Sequence, residues 1–181
     1  KIPITSLDEQ DYFNENYPKD FVWDILKKEN YSTAFFSSQD ENWANMINYY
    51  KKENLDLFWH SISDNFFDYK FSGSKLDYDG NTTKKAVEWI NQAKKPFFLY
   101  INLQATHYPY AYPESEAIFL PDKPKSKSYF SISKEDYNAT INKYDNALFY
   151  IDKQIGTIKN YLENENNNKI FLLLLHNLIY F

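Results

Sequence analysis

The chain has 181 residues, enough for one domain with a hydrophobic core but short for two. Hydrophobic residues make up 43% and charged residues 25%, a balance typical of a globular rather than a disordered protein. The net charge of −5, without a concentrated basic stretch, argues against a nucleic-acid partner. The absence of cysteine excludes disulfides, thiolate metal sites and a cysteine nucleophile within these residues. The apolar stretch 170–181 is shorter than the roughly 20 residues of a membrane-spanning helix.

The first part of the chain alternates between helical and extended patterns. Apolar residues at helical spacing predict helices over residues 19–29 and 41–53, the second carrying Trp43 on its apolar side. Short β-prone runs predict strands over residues 32–38 and 55–62. The polar and aromatic residues that follow are predicted to be loop over residues 64–80.

A third helix and strand come next. Residues 82–94 are predicted to be an amphipathic helix. It leads into the nearly continuous apolar run 96–103, which is typical of a strand covered on both faces in a parallel sheet. The following stretch, 104–129, holds four prolines and is predicted to be mostly irregular.

The clearest periodicity predicts a long helix over residues 134–162, followed by a last strand over residues 170–175. The helix has one predicted apolar stripe, made of Tyr137, Ile141, Tyr144, Leu148, Ile151, Ile155, Ile158 and Leu162. The repeated order of strand and helix predicts an α/β fold, a mostly parallel sheet flanked by helices.

In such sheets, binding and catalytic residues collect at the carboxyl ends of the strands. Three pairs of residues occupy these positions: Gln39-Asp40, Thr106-His107 and His176-Asn177. His60 also lies near a strand end, but its apolar neighbours favour a packed histidine.

His107 is the main catalytic candidate. A histidine here can donate a hydrogen bond to an anionic oxygen or act as a general acid, and the flanking aromatic residues are expected to limit its access to water. Spacing alone favours a loop histidine bonded to the backbone. His176 can ligate a divalent cation, although spacing alone favours a simple strand end. No Ser/His/Asp spacing, Gly-rich phosphate loop or HExxH motif is present.

Four blocks resemble, in order, the sulfatase family of the alkaline-phosphatase superfamily: residues 21–36 (FVWDILKKENYSTAFF), 95–110 (KPFFLYINLQATHYPY), 144–156 (YDNALFYIDKQIG) and 170–177. The first block is similar to a helix leading into a GY-x-TA strand, with Asn30 where glycine is usual. The second is similar to a strand that ends in a T-H-x-P-Y loop. Residues 37–40 with Trp43 resemble a bacterial subgroup.

The resemblance implies an alkaline-phosphatase-like fold and hydrolysis of a sulfate ester at a divalent cation, usually calcium. A formylglycine, made from Cys or Ser in a C/S-x-P-S-R motif, is the nucleophile in that family. His107 then contacts the sulfate or protonates the leaving group, Thr106 beside it binds substrate, and His176 is a metal ligand. The implied partner is a sulfated small molecule or glycan, and the implied location is periplasmic or extracellular.

Several residues depart from the family pattern. No C/S-x-P-S-R motif occurs, Leu175 stands where an aspartate is expected, and Asn177 stands where a glycine is expected. The paired aspartates of the family would lie before Lys1, and its lysine after Phe181. We therefore expect residues 1–181 to be a partial sulfatase-like domain, inactive in isolation and doubtful as a metal binder.

Two other functions stay open. The first is a phosphoryl-ester enzyme of the same superfamily, a phosphodiesterase or a phosphoethanolamine transferase, because phosphate and sulfate esters need similar anion sites. The second is a non-catalytic glycan-binding or scaffold protein, with the aromatic residues 108–112 as its contact surface.

Overall fold

The computed structural model describes residues 20–42, 46–50, 53–61, 78–125 and 132–164. Three strands form one parallel sheet, in the order β2–β1–β3. Their bounds are Ser32–Ser37 for β1, Leu57–His60 for β2 and Phe97–Asn102 for β3. The predicted α/β class with a parallel sheet is confirmed. The predicted strand 170–175 and Trp43 lie outside the described residues.

Helices cover both faces of this sheet. In the described ranges, the α-helices are α1 (Val22–Lys28), α2 (Met46–Tyr49), α3 (Tyr78–Ile90) and α4 (Tyr137–Asn164). A single 3-10 turn, Lys134–Asp136, leads into α4, and Ser133 caps it by accepting the backbone N–H of Asp136.

An aromatic cluster fills one face of the sheet. Phe35 of β1 is fully buried and stacks between Phe58 of β2 and Tyr100 of β3, with ring centroids 4.8 Å apart in both pairs. Trp23 of α1 meets the edges of Phe35 and Tyr100. Stacked and edge-on aromatic pairs bury large apolar areas, so this face accounts for some of the 17 tyrosines and 15 phenylalanines of the chain.

The opposite face packs against α3 and α4. Ala34, Phe36 and Trp59 form a buried cluster with Ala86 of α3. Further along, Ile90 of α3 packs with the last turns of α4, in a cluster that also contacts β3. The sheet is therefore covered by α1 on one side and by α3 and α4 on the other.

The bounds of several elements differ from prediction. α3 begins at Tyr78 rather than residue 82, so residues 78–80 of the predicted loop are helical. It ends at Ile90, where the backbone N–H groups of Gln92 and Ala93 turn back to the carbonyl of Trp89. α2 covers only part of the predicted helix 41–53, because residues 41–42 form a turn.

Burial of the strands also differs. The strand buried on both faces is β1, whereas every residue of β3 is half-buried. The physical reason is position: β1 is the middle strand, and β3 lies at the edge of the described sheet. The apolar run 96–103 correctly predicts a strand but not its place in the sheet.

The apolar stripe of α4 is only partly correct. Ile151, Ile158 and Leu162 are buried as predicted, but Tyr137 is 62% exposed and Leu148 42% exposed. The first half of the helix buries a different set, Ala139, Asn146, Ala147 and Tyr150, and the polar Gln154 is buried in the next turn. That half packs under the long loop after β3, whereas the last turns pack on α3 and β3.

Asn30 explains how α1 ends. Its φ of 63° lies in the left-handed region, where helices commonly terminate with glycine or asparagine. Its N–H and that of Tyr31 bond back to the carbonyls of Lys27 and Leu26. Asparagine therefore substitutes for the glycine usual at this position, and β1 can begin two residues later.

Candidate active site

A polar row crosses the carboxyl end of the sheet. In the parallel register, Ser37 of β1 is paired with His60 of β2 on one side and with Asn102 of β3 on the other. Since side chains alternate along a strand, these three polar residues lie on the same face as the aromatic cluster. The Asn102 amide Nδ2 lies 3.2 Å from Ser37 Oγ.

Glu41 lies over this row with its side chain fully buried. Its Oε1 accepts hydrogen bonds from Ser37 Oγ at 2.5 Å and from Asn102 Nδ2 at 3.4 Å. Its backbone N–H donates to Nδ1 of His60 at 3.2 Å, so His60 carries its proton on Nε2. Burial raises the pKa of the Glu41 carboxyl, although the bonds from Ser37 and Asn102 oppose the rise.

The loop after β3 is held by Asp79, in the first turn of α3. One carboxylate oxygen accepts the backbone N–H of Gln104 at 2.9 Å, and the other accepts that of Ala105 at 2.8 Å. The Gln104 side chain also donates to the side-chain oxygen Oδ1 of Asn102 at 3.0 Å. The loop therefore starts from a residue that is fixed through both its backbone and its side chain.

His107 follows at the exposed edge of this loop. Its N–H donates to the carbonyl of Gln104 at 2.8 Å, and its ring Nδ1 lies 2.8 Å from the carbonyl oxygen of Tyr108. A carbonyl can only accept, so Nδ1 carries a proton, and Nε2 is the ring nitrogen that this bond leaves for other partners. His107 therefore makes the hydrogen bonds to the backbone that its spacing favours, and its side chain is also exposed. The expected shielding of His107 from water is wrong, because its aromatic neighbours pack elsewhere.

Those neighbours pack against α4. Tyr110 is 7% exposed and meets Tyr144 edge to face, at a centroid distance of 5.3 Å. Its φ of 62° is unusual for a bulky residue and is held by this packing and by its N–H bond to the His107 carbonyl. Tyr112 donates its hydroxyl to Asp122 at 2.7 Å, and burial together with that bond raises the pKa of Tyr112. Tyr110 and Tyr112 are thus part of the loop's internal packing rather than an open contact surface.

Asn146 joins the same loop to α4. The side chain is fully buried, and its oxygen accepts the backbone N–H groups of Ile118 and Phe119, both at 2.8 Å. Its amide group donates to the Phe119 carbonyl at 3.0 Å and to the Tyr112 hydroxyl at 3.1 Å. Every hydrogen-bonding direction of this amide is therefore used to fix the loop.

The other predicted site residues fall in different places. Thr106 is only 4% exposed, in contrast to His107. Asp40 lies near His60, with Oδ1 3.8 Å from Nδ1, and also accepts the backbone N–H of Asn42. The prediction that His60 is packed agrees with its burial. His176, Leu175 and Asn177 lie outside the described residues, so their predicted roles stay predictions.

Sequence reasoning missed the residues that support the site. Glu41, Asp79, Asn102 and Asn146 are not apparent from the sequence, because each makes a hydrogen bond that joins residues 25 or more positions apart in the chain. Across the described ranges, no three His, Cys, Asp or Glu side chains gather to hold a metal ion. The described residues alone do not fit the implied cation, and no chemical step is assigned to it.

A parallel sheet covered by helices, with a histidine loop at its carboxyl edge, makes this chain an α/β protein. The chain belongs to the sulfatase family, whose family model matches residues 5–175. The predicted family is thereby confirmed.

Three solved structures have a similar fold. The lipoteichoic acid synthase LtaP from Listeria monocytogenes has a TM-score of 0.54 at 22% identity, over 78% of this chain and 32% of that one. The C-terminal periplasmic domain of EcEptC from Escherichia coli, in complex with Zn, has a TM-score of 0.59 at 19% identity, over 83% and 40%. The C-terminal periplasmic domain of phosphoethanolamine transferase EptC from Campylobacter jejuni has a TM-score of 0.56 at 22% identity, over 84% and 45%.

The chain thus spans less than half the length of each of these structures. At these identities the likeness concerns the fold. None of the helices described for this chain is long and apolar enough to cross a membrane.

Proposed function

We propose that this chain supplies the anion-contacting loop of an enzyme that transfers or hydrolyses phosphate esters, with His107 as the contacting residue. Membership of the sulfatase family supports chemistry on an anionic ester. The names of two structural relatives, a lipoteichoic acid synthase and a phosphoethanolamine transferase, favour a phosphoryl group over a sulfuryl group. The proposal keeps the predicted role of His107 and replaces sulfate with phosphate as the leading substrate class.

The observation that carries the proposal is the orientation of His107. Its Nδ1 is committed to the Tyr108 carbonyl, and its ring is exposed beyond the carboxyl end of a parallel strand. When protonated, Nε2–H donates a hydrogen bond to a non-bridging oxygen of a tetrahedral anion. As an attacking nucleophile bonds to phosphorus and the bond to the leaving oxygen breaks, the same proton can pass to that oxygen, which leaves the ring neutral.

Hydrolysis of a sulfate ester is the second candidate, favoured by the T-H-x-P-Y loop that resembles sulfatases. Sulfate and phosphate monoesters share tetrahedral geometry and differ mainly in charge. A divalent cation is part of either proposal, and calcium stays a prediction, since the E. coli relative is a complex with Zn. A periplasmic location is proposed because two relatives are periplasmic domains.

Binding of inorganic phosphate and sulfate to the 15N-labelled chain tests the role of His107. We expect saturable shifts of the His107 amide and ring signals, with phosphate binding more tightly than sulfate. Substitution His107→Gln should abolish these shifts, whereas Ser115→Ala, at an exposed position of the same loop, should preserve them. Equal anion binding by His107→Gln and the unmodified chain would contradict the proposed contact.

Turnover separates the two ester classes. The 181-residue chain should show no calcium-dependent arylsulfatase activity, because its sequence contains no C/S-x-P-S-R motif. In a longer protein that includes these residues and a nucleophile, we expect p-nitrophenyl phosphodiesters to be cleaved faster than p-nitrophenyl sulfate. His107→Ala should then lower kcat by roughly 100-fold or more, the usual contribution of a general acid. Faster cleavage of the sulfate would favour the second candidate.

A further inference from the structure

A continuous set of hydrogen bonds connects the end of β2 to the His107 loop. His60 accepts from the backbone of Glu41, and the Glu41 side chain accepts from Asn102. The side-chain oxygen Oδ1 of Asn102 accepts from the Gln104 side chain, and the Gln104 backbone carbonyl accepts from the N–H of His107.

Asn102 is the link whose orientation matters most. Its amide nitrogen donates to both Ser37 Oγ and Glu41 Oε1, so its oxygen must face the opposite way, toward Gln104. Ser37 Oγ also accepts the N–H of Gln39, which leaves its own proton for Glu41. If Glu41 were absent, Ser37 and the Asn102 amide would each lose an acceptor inside a buried region.

We infer that Glu41 is a positioning residue for His107, acting through Asn102 and Gln104. This role rests on the proposed anion contact by His107. It makes Glu41 the distant side chain that determines where His107 meets the anion. Glu41 itself is fully buried and lies on the turn that follows β1, the central strand.

The second carboxylate oxygen supports this role. Oε2 of Glu41 is buried and, within the described part of the chain, has no hydrogen-bond partner. Both side-chain donors approach Oε1, so a proton on this carboxyl is carried by Oε2. The titratable groups that face it are Asp40 on the same turn, His60 on β2 and Tyr100 on β3. Glu41 in its protonated form places no negative charge beneath a loop proposed to receive an anion.

The test compares Glu41→Gln and Glu41→Ala with Glu88→Gln, which removes an exposed carboxylate of α3. Glutamine keeps an acceptor for Ser37 and Asn102, so the His107 amide and ring signals should stay near their positions in the unmodified chain. Alanine removes the acceptor, so these signals should shift and inorganic phosphate should bind roughly threefold or more weakly. A purely structural role would lower stability in Glu41→Ala but leave the His107 signals of the folded protein unchanged.

Gln104→Ala serves as a second test if Glu41→Ala does not fold. It removes the hydrogen bond between Gln104 and Asn102, and because Gln104 is half-buried the variant should still fold. It should shift the His107 signals with little loss of stability. In the double variant with Glu41→Gln, no further shift is expected. Unmoved His107 signals in Gln104→Ala would overturn the inference. Absence of phosphate binding by the unmodified chain would instead overturn the proposed function, since the His107 signals are read without any anion.

Discussion

Substitution of Asp79 should destabilise the chain more than any change at an exposed carboxylate. Asp79 is buried and its two oxygens accept the N–H groups of Gln104 and Ala105. Hydrogen bonds to a charged group contribute about 1.5–3 kcal/mol each. Ala105 is buried, so its N–H would stay unpaired without Asp79, whereas the half-buried Gln104 can partly turn to water.

For Asp79→Ala we therefore expect a loss of about 3–5 kcal/mol in the free energy of unfolding, a large part of the ~5–15 kcal/mol typical of a domain. Asp79→Asn should lose about half as much, because the amide offers one acceptor and turns its NH2 group toward the second N–H. Glu88→Gln, on the exposed side of the same helix, should change stability by less than about 0.5 kcal/mol.

Urea unfolding at constant m measures these differences, and hydrogen exchange at the Gln104 and Ala105 amides localises them. Both amides should exchange faster in Asp79→Ala, with smaller changes in β1. A loss below about 1 kcal/mol, or unchanged exchange at both amides, would show that Asp79 does not hold the loop.

Three further predictions concern other supports of the fold. Asn146→Ala should cost about 2–4 kcal/mol in unfolding experiments, since it removes four hydrogen bonds of about 1 kcal/mol each, some of them replaced by water. Equal stability of Asn146→Ala and the unmodified chain would refute this. Asn30→Gly should raise the melting temperature slightly and Asn30→Ala lower it, because the left-handed conformation costs alanine about 1 kcal/mol; the reverse order would contradict that conformation. The folded-state pKa of Glu41 is raised, so the stability it contributes is present at low pH and lost as pH rises through that value. Unfolding midpoints of Glu41→Gln should therefore decline less over this pH range, and parallel curves would count against it.

The sequence predicts the fold well where local pattern and burial coincide. The three described strands and the four helices occur in the predicted order, because apolar runs and helical spacing report local geometry directly. The sequence does not predict which side of a helix is buried when contacts with distant parts of the chain determine it. In α4, Leu148 fits the apolar stripe but is exposed, whereas Asn146 is buried because the loop needs its hydrogen bonds.

The site was predictable only in part. His107 could be found from its place after an apolar strand, and family resemblance assigned it a role. Glu41 and Asn102 could not be found, because their relation depends on which residues of separate strands are in register. Asp79 lies in a stretch predicted to be loop, so its position at the start of a helix, facing the next strand's end, had no signal in the sequence.

Gln104 is the residue on which both supports converge. Asp79 holds its N–H, Asn102 holds its side chain, and its carbonyl holds the N–H of His107. Loss of the Asp79 contacts leaves a buried backbone donor unpaired and so acts mainly on stability. In the inferred positioning role, loss of the Glu41 side chain acts through the orientation of Asn102 and leaves the Asp79 contacts in place. Asp79 and Asn102 contact different atoms of Gln104. Substitutions of Asp79 therefore report on the stability of the loop, whereas substitutions of Glu41 report on the position of His107.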